Sequence, residues 1–339
     1  MKPKDLLVFL HIPKAAGQTI EFLLERVYGR PVIGHFKNSK IYKDNTLLMG
    51  KASPLENYWM VTPEVLNNFE TNPESVLPKV LDLRVITGHV PFGIHERMKD
   101  RIQETRYFTI LREPVSRVLS QYFYLRAKYP DAYRSISLSE YLRDNASIDN
   151  VQTRMLAATD GYLDEVPFGA CSEEMLERAK HNLENYFALA GLTERFDETL
   201  LLLKQKLCWP DPHYLRVNVT QPQSERKKIS EPDLEYIRQY NQLDLALYDF
   251  VTQKFNDAIN TYGPSFSLRL GMFRLTNRLM NPILSLQTIL HENYQRYMMG
   301  SRRERVLRKE IRKFLKGPRT LERLSQALYQ GLTQNISYH

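Results

Sequence analysis

The chain has 339 residues, 42% of them hydrophobic, and a formal net charge of +8. That length and apolar content fit one large α/β domain, or one domain with an extension, and exclude a disordered or low-complexity chain. Two cysteines, Cys171 and Cys208, are too few for a disulfide framework, and no apolar run reaches the roughly 18 residues of a membrane span, so a soluble cytoplasmic chain with no signal peptide is expected.

Taken in order, Leu6 to Leu10 is an apolar run of strand length, and Ile20, Leu23, Leu24 and Val27 then recur at helical spacing, predicting a helix over 18–28. Residues 30–80 read as irregular. "LRVITGHV" (83–90) and "RYFTIL" (106–111) read as strands. A helix follows Pro114, with Val115, Val118, Leu119 and Tyr122 on one face. Ser137 with Glu140 predicts a capping box, the stretches around Glu174 and Leu200 predict helices, and "NYFALAG" between them reads as a strand. Ser230 with Asp233 opens what reads as one long helix reaching about Phe255. Strands alternating with helices predict an α/β fold with a mostly parallel central sheet flanked by helices.

The charge is unevenly spread. Residues 1–265 hold 33 basic and 35 acidic side chains, whereas Phe266 to His339 holds 14 and 4. A boundary is therefore expected at Gly263-Pro264, giving domains 1–263 and 264–339, the second a basic helical extension. Leu307, Ile311, Phe314 and Leu315 fall on one face of it, among basic residues. This extension is expected to meet an anionic membrane surface, making the chain peripheral to a membrane, or to pack its apolar face on the core or on a second subunit. Nucleic acid is not expected, since no reading motif accompanies the charge.

Two turns carry the chemistry. In "HIPKAAGQT" (11–19) a strand gives way to a helix N-terminus, where unpaired amides and the helix dipole favour an anion. Gly17 would let backbone approach an oxyanion, Lys14 adds a point charge, and Ala15, Ala16, Gln18 and Thr19 complete the loop. Lys14 precedes the glycine, unlike the P-loop of nucleotidases, and an ordinary strand-to-helix turn would look similar. In "LREPVSRVLSQY" (111–122) Arg112 ends a strand, and with Ser120 it could grip a second phosphate; alternatively it pairs with Glu113 or a neighbour, and Ser120 is a small packing residue.

Together these stretches resemble the two cofactor signatures of sulfotransferases that use 3′-phosphoadenosine 5′-phosphosulfate (PAPS). Leu111, Arg112, Glu113, Pro114, Arg117, Ser120 and Tyr122 match the 3′-phosphate motif. "NVQTRMLAA" (150–158), "YFALAGLTERFDETLLLL" (186–203) and "ISEPDLEYIRQYNQLDLALYDF" (229–250) are similar to the carbohydrate branch, which includes the heparan-sulfate 2-O-sulfotransferases. The resemblance spans roughly residues 5–257. It implies the P-loop NTPase-like sulfotransferase fold, PAPS as co-substrate, no metal, and in-line sulfuryl transfer to an acceptor hydroxyl, expected on a carbohydrate. Ala15 and Gln18 depart from the hydroxyl residues usual in the loop; hydroxyl donors to the 5′-phosphate are lost at Ala15, while backbone amides, Lys14, the Gln18 amide and Thr19 remain.

The base is expected to be His89, which follows a strand end and so faces the ligand crevice of an open α/β sheet. The resemblance agrees, since "GHVPFGIH" is similar to the segment that carries the base. Lys14 is the second catalytic candidate, and Arg226 and Lys227 are expected to close over the cofactor. His11 reads as a packed strand-end residue, His95 as lining the site, and Arg154 as either a contact to an anionic acceptor or a salt bridge. The competing readings are a P-loop kinase-like enzyme and a non-catalytic nucleotide-binding protein.

Overall fold

The computed structural model describes residues 4–29, 33–36, 59–61, 84–98, 102–143, 148–161, 163–215 and 229–297. Strands β1 (Lys4–Leu10), β2 (Ile33–Phe36), β3 (Trp59–Val61), β4 (Val85–Gly88), β5 (Ile102–Leu111) and β6 (Phe187–Leu192) form one sheet. Their spatial order is β3-β2-β4-β1-β5-β6, and every pairing is parallel. Such sheets are covered on both faces, so their strands read as unbroken apolar runs. Leu6–Leu10, Val85–Gly88 and the last five residues of β5 are all buried, as that requires.

The helices are α1 (Gly17–Tyr28), α2 (Pro114–Lys128), α3 (Pro130–Tyr133), α4 (Leu138–Arg143), α5 (Val151–Ala157), α6 (Glu173–Tyr186), α7 (Phe196–Lys206), α8 (Glu231–Gln239), α9 (Gln242–Asn260) and α10 (Ser265–Tyr297). Helix α1 buries Ile20, Leu23 and Leu24, the face its spacing predicts. The capping box is present before α4: the Ser137 amide and hydroxyl both donate to Glu140 Oε2, at 2.7 and 2.6 Å. The main core joins the sheet to α1, α6, α7 and α9. A second apolar cluster lies under α2, α4 and α8, built on Val118, Leu119, Tyr122, Phe123, Tyr141 and Ile237.

The long helix expected after Ser230 is two helices. Helix α8 ends at Gln239 and α9 begins at Gln242. The break has a physical cause in distant residues. Asn241 Nδ2 donates to the Ile237 carbonyl at 2.8 Å, ending α8. Asn150 Oδ1 accepts the amides of Leu243 and Asp244, both at 3.0 Å, starting α9. Asp244 in turn accepts from the amides of Gln152 and Thr153 in the first turn of α5, at 3.1 and 2.7 Å. Two helix N-termini thus cap each other through one Asn and one Asp.

The chain forms two compact units, Met1–Asn281 and Pro282–His339, whereas the charge pattern places a boundary at Gly263-Pro264. The first unit runs on because Phe266 and Phe273 of α10 are buried in the main core. Arg226, Lys227 and the apolar face expected over 307–315 lie outside the described residues.

Candidate functional site

Three adjacent central strands, β4, β1 and β5, end at one edge of the sheet, with Gly88 beside Leu10 and Leu10 beside Thr109. They deliver His89, the Lys14 loop and Arg112 to that edge. In open parallel sheets this is the edge where ligands bind. Arg112 Nη1 donates to the Lys14 carbonyl at 3.0 Å, so the two turns that lie far apart in sequence touch.

The first turn is strained. Lys14 (φ 70°) and Ala16 (φ 59°) both adopt left-handed backbone, which costs non-glycine residues on the order of 1–3 kcal/mol each. Ala16 is the N-cap of α1 and makes no side-chain cap bond, which leaves that helix end without an internal anion. Ala15 is fully buried, and its amide donates to the Ile12 carbonyl at 3.2 Å. Thr19 is buried and Gln18 exposed at the same helix start.

Gly17 has ordinary backbone, and space is what requires glycine there. A Cβ on it would fall 1.7 Å from Nε2 of His11. The His11 ring is clamped between this glycine, the Phe9 ring (centroids 5.4 Å) and the His89 ring (4.3 Å), and its Nδ1 lies 3.5 Å from Glu21. Gly17→Ala is expected to push the His11 ring out, lowering stability by about 1–3 kcal/mol as an overpacked site does. Thermal denaturation measures this; the double variant Gly17→Ala/His11→Ala should recover most of the loss, and no recovery would show that the glycine serves something else.

His89 is half-buried, and its Nδ1 lies 2.7 Å from the His11 carbonyl oxygen. A carbonyl oxygen only accepts, so Nδ1 carries the proton and Nε2 is the basic nitrogen. Burial, then the neighbouring His11, push the imidazolium down to about 3, with Lys14 adding to the effect. His89 is therefore neutral at physiological pH.

Lys14 Nζ lies over the Tyr124 ring, 3.6 Å from its centroid. Burial first, then Arg112 and Lys128, lower its pKa to about 8. Lys128 Nζ donates to the Tyr124 hydroxyl at 2.6 Å. Tyr124 and Lys128 were not singled out from the sequence, although they follow Ser120 at i+4 and i+8 of α2, so helical spacing carries the signal.

Arg112 does not pair with Glu113. The Glu113 carboxylate caps α2, accepting the amides of Val115 and Ser116 at 2.9 and 2.7 Å. Buried Gln152 holds Arg112 by its backbone, accepting its amide at 3.0 Å and donating to its carbonyl at 2.9 Å. Ser120 is buried in α2. Arg117 is fully buried, and its charge and that of Asp244 attract each other.

The remaining candidates are engaged elsewhere. His95 Nδ1 pairs with the Tyr107 hydroxyl at 2.8 Å and Nε2 with Glu96 at 3.2 Å, inside a cluster with Phe92 and Tyr186. Arg154 takes the salt-bridge alternative: it pairs with Asp149 and donates to the carbonyls of Asp149, Val166 and Pro167.

The parallel sheet thus gathers cationic side chains and a neutral histidine at one end of its central strands, an arrangement able to hold an anion beside a basic nitrogen. A family model for galactose-3-O-sulfotransferases matches residues 67–296, and the chain belongs to that family. The matched span contains His89 and Arg112 and begins after the Lys14 loop. Relatives include galactose-3-O-sulfotransferase 2 of Mus musculus, 28% identical over 50% of this chain and 45% of its own length. Galactose-3-O-sulfotransferase 3 of Bos taurus is 26% identical over 75% of this chain and 58% of its own. Heparan-sulfate 6-O-sulfotransferase 1 of Cricetulus griseus is 26% identical over 75% and 68%. The chain spans about half the length of the first of these relatives. They bear out the carbohydrate-branch resemblance. They also overturn the cytoplasmic location, because they are Golgi-type sulfotransferases. That expectation rested on few cysteines and the lack of a long apolar run, neither of which fixes a compartment. Among the described residues no helix is long and apolar enough to cross a membrane.

Proposed function

We propose that this protein is a carbohydrate sulfotransferase, moving a sulfuryl group from PAPS to a sugar hydroxyl with His89 as the base. The observation that carries the reading is the convergence of three strand ends: the Lys14 loop, Arg112 bonded to it, and His89 with its Nδ1 proton fixed on the His11 carbonyl. The donor set fits a polyanion. Burial first, then the charges of Arg112 and Lys128, lower the Lys14 pKa, and a phosphate would relieve the repulsion among the three cations.

PAPS supplies a sulfuryl group already activated by its phosphate. Lys14 and the start of α1 would hold the 5′-phosphosulfate, and Arg112 with Ser120 the 3′-phosphate. His89 Nε2 would take the proton of the acceptor hydroxyl as the new O–S bond forms. The electron pair of the broken bond would pass to the 5′-phosphate oxygen, where Lys14 and the helix dipole stabilise it. An anion beside Lys14 cancels part of what depresses His89, so donor binding should strengthen the base as well as leave it unprotonated on arrival.

The test combines a labelled-PAPS transfer assay on galactose-terminated and heparan-type glycans with nucleotide thermal shift. Stabilisation by 3′-phosphoadenosine 5′-phosphate but not by ATP, with transfer to a glycan, is expected. Arg112→Ala should weaken nucleotide binding by about 2–4 kcal/mol. Because anion binding raises the Lys14 pKa from about 8, binding takes up a proton above that pH, so affinity should fall as pH rises past about 8. Calorimetry in buffers of different ionisation enthalpy reads that proton. ATP stabilisation without transfer would favour the kinase-like reading.

A further inference from the structure

Helix α10 carries two opposed apolar faces within the first compact unit. One is used. Phe266 and Phe273 are buried in the core, Asn277 Oδ1 accepts the Tyr214 amide at 2.7 Å, His213 Nε2 lies 3.0 Å from Thr276 Oγ1, and Arg274 pairs with Asp197 at 2.9 Å. These contacts hold the helix rigidly along one side.

The opposite side is exposed. Leu268, Met272, Leu275 and Leu279 stand at 69%, 54%, 56% and 51% exposure. Their spacing of four, three and four residues puts them in one line along the helix. At 3.6 residues per turn, exposed Arg269 falls on one flank of that line and exposed Arg278 on the other. From Ser265 to His291 the sequence has no Asp or Glu.

An apolar ridge with a cation on each side and no acid of its own along the helix from Ser265 to His291 suits an interface between hydrocarbon and anionic headgroups. A second copy of the chain fits less well. Two-fold packing would bring the flanking arginines of the two copies together, and four side chains on one helix fall well short of the roughly 1,200 Å² that stable protein pairs bury. We propose that the Leu268-Met272-Leu275-Leu279 face of α10 docks on a bilayer surface bearing anionic lipid headgroups. The leucines and the methionine enter the headgroup–acyl boundary, and Arg269 and Arg278 stay at phosphate level.

The test uses the full chain and flotation with phosphatidylcholine vesicles, with and without phosphatidylglycerol. The wild-type protein should float with the anionic vesicles and lose binding as salt is raised. Leu268→Glu/Leu275→Glu should lower partitioning by roughly tenfold or more. Both substituted positions are exposed and neither is among the proposed nucleotide residues, so stabilisation by 3′-phosphoadenosine 5′-phosphate should be unchanged and reports the fold. Leu275→Trp should shift its emission to the blue on vesicles and be quenched by lipids brominated in the acyl chain. Equal flotation of wild type and the double variant, no flotation of either, or an unquenched tryptophan overturns the proposal. So does a wild-type dimer in sedimentation that the double variant converts to a monomer.

Discussion

His89→Ala is expected to keep the fold and nucleotide binding while transfer falls by about 10²–10⁴-fold, the usual worth of a positioned general base. The loss should appear in turnover, since the ring lies beside the Lys14 loop proposed to bind the donor and does not build it. The same variant should change acid stability. His89 is held neutral with its pKa near 3, far below the ordinary histidine value of about 6.5. The unfolded chain therefore binds a proton that the folded one refuses. Stability is full above about pH 6.5 and declines as pH falls from there toward 3. Thermal denaturation across that range should show a steeper decline for wild type than for His89→Ala. A variant with near wild-type transfer would move the base elsewhere. His11 would be next, with its ring 4.3 Å away, because both nitrogens of His95 are already engaged.

Asp244→Ala is expected to be the most destabilising single change. Its carboxylate is fully buried and accepts from two α5 amides and from the Thr153 hydroxyl at 2.8 Å. Burial pushes Asp244 up and Arg117 down, and the attraction between them offsets both. Removing one partner of a buried charge pair costs about 3–5 kcal/mol. Losing the cap of α5 adds about 1 kcal/mol. The effect should reach the site, because Gln152 in that first turn holds the Arg112 backbone. Urea denaturation should show the loss, and Asp244→Asn, which keeps an acceptor but not the charge, should fall between. Nucleotide affinity of the asparagine variant should drop more than its stability explains. A variant with wild-type stability would mean that the caps and the pair are dispensable.

The sequence by itself determined the local units. Strand, turn and helix are legible at 6–28 and 106–128 because apolar spacing, and at 106–128 a proline in the first helical turn behind the Glu113 cap, act within a few positions. The candidates His89 and Arg112 could be picked out for the same reason, since each directly follows a strand end, and Lys14 because it stands in the loop after β1. What the sequence could not show are effects with one partner far away. The break between α8 and α9 depends on Asn150, and the need for glycine at 17 depends on the His11 ring packed against it. The pairing of Tyr124 with Lys14 and the low proton affinity of His89 arise only when strand ends from residues 10, 88 and 111 are brought together and water is excluded. Tertiary structure decided these, because desolvation and charge crowding depend on distance in space and not on distance along the chain.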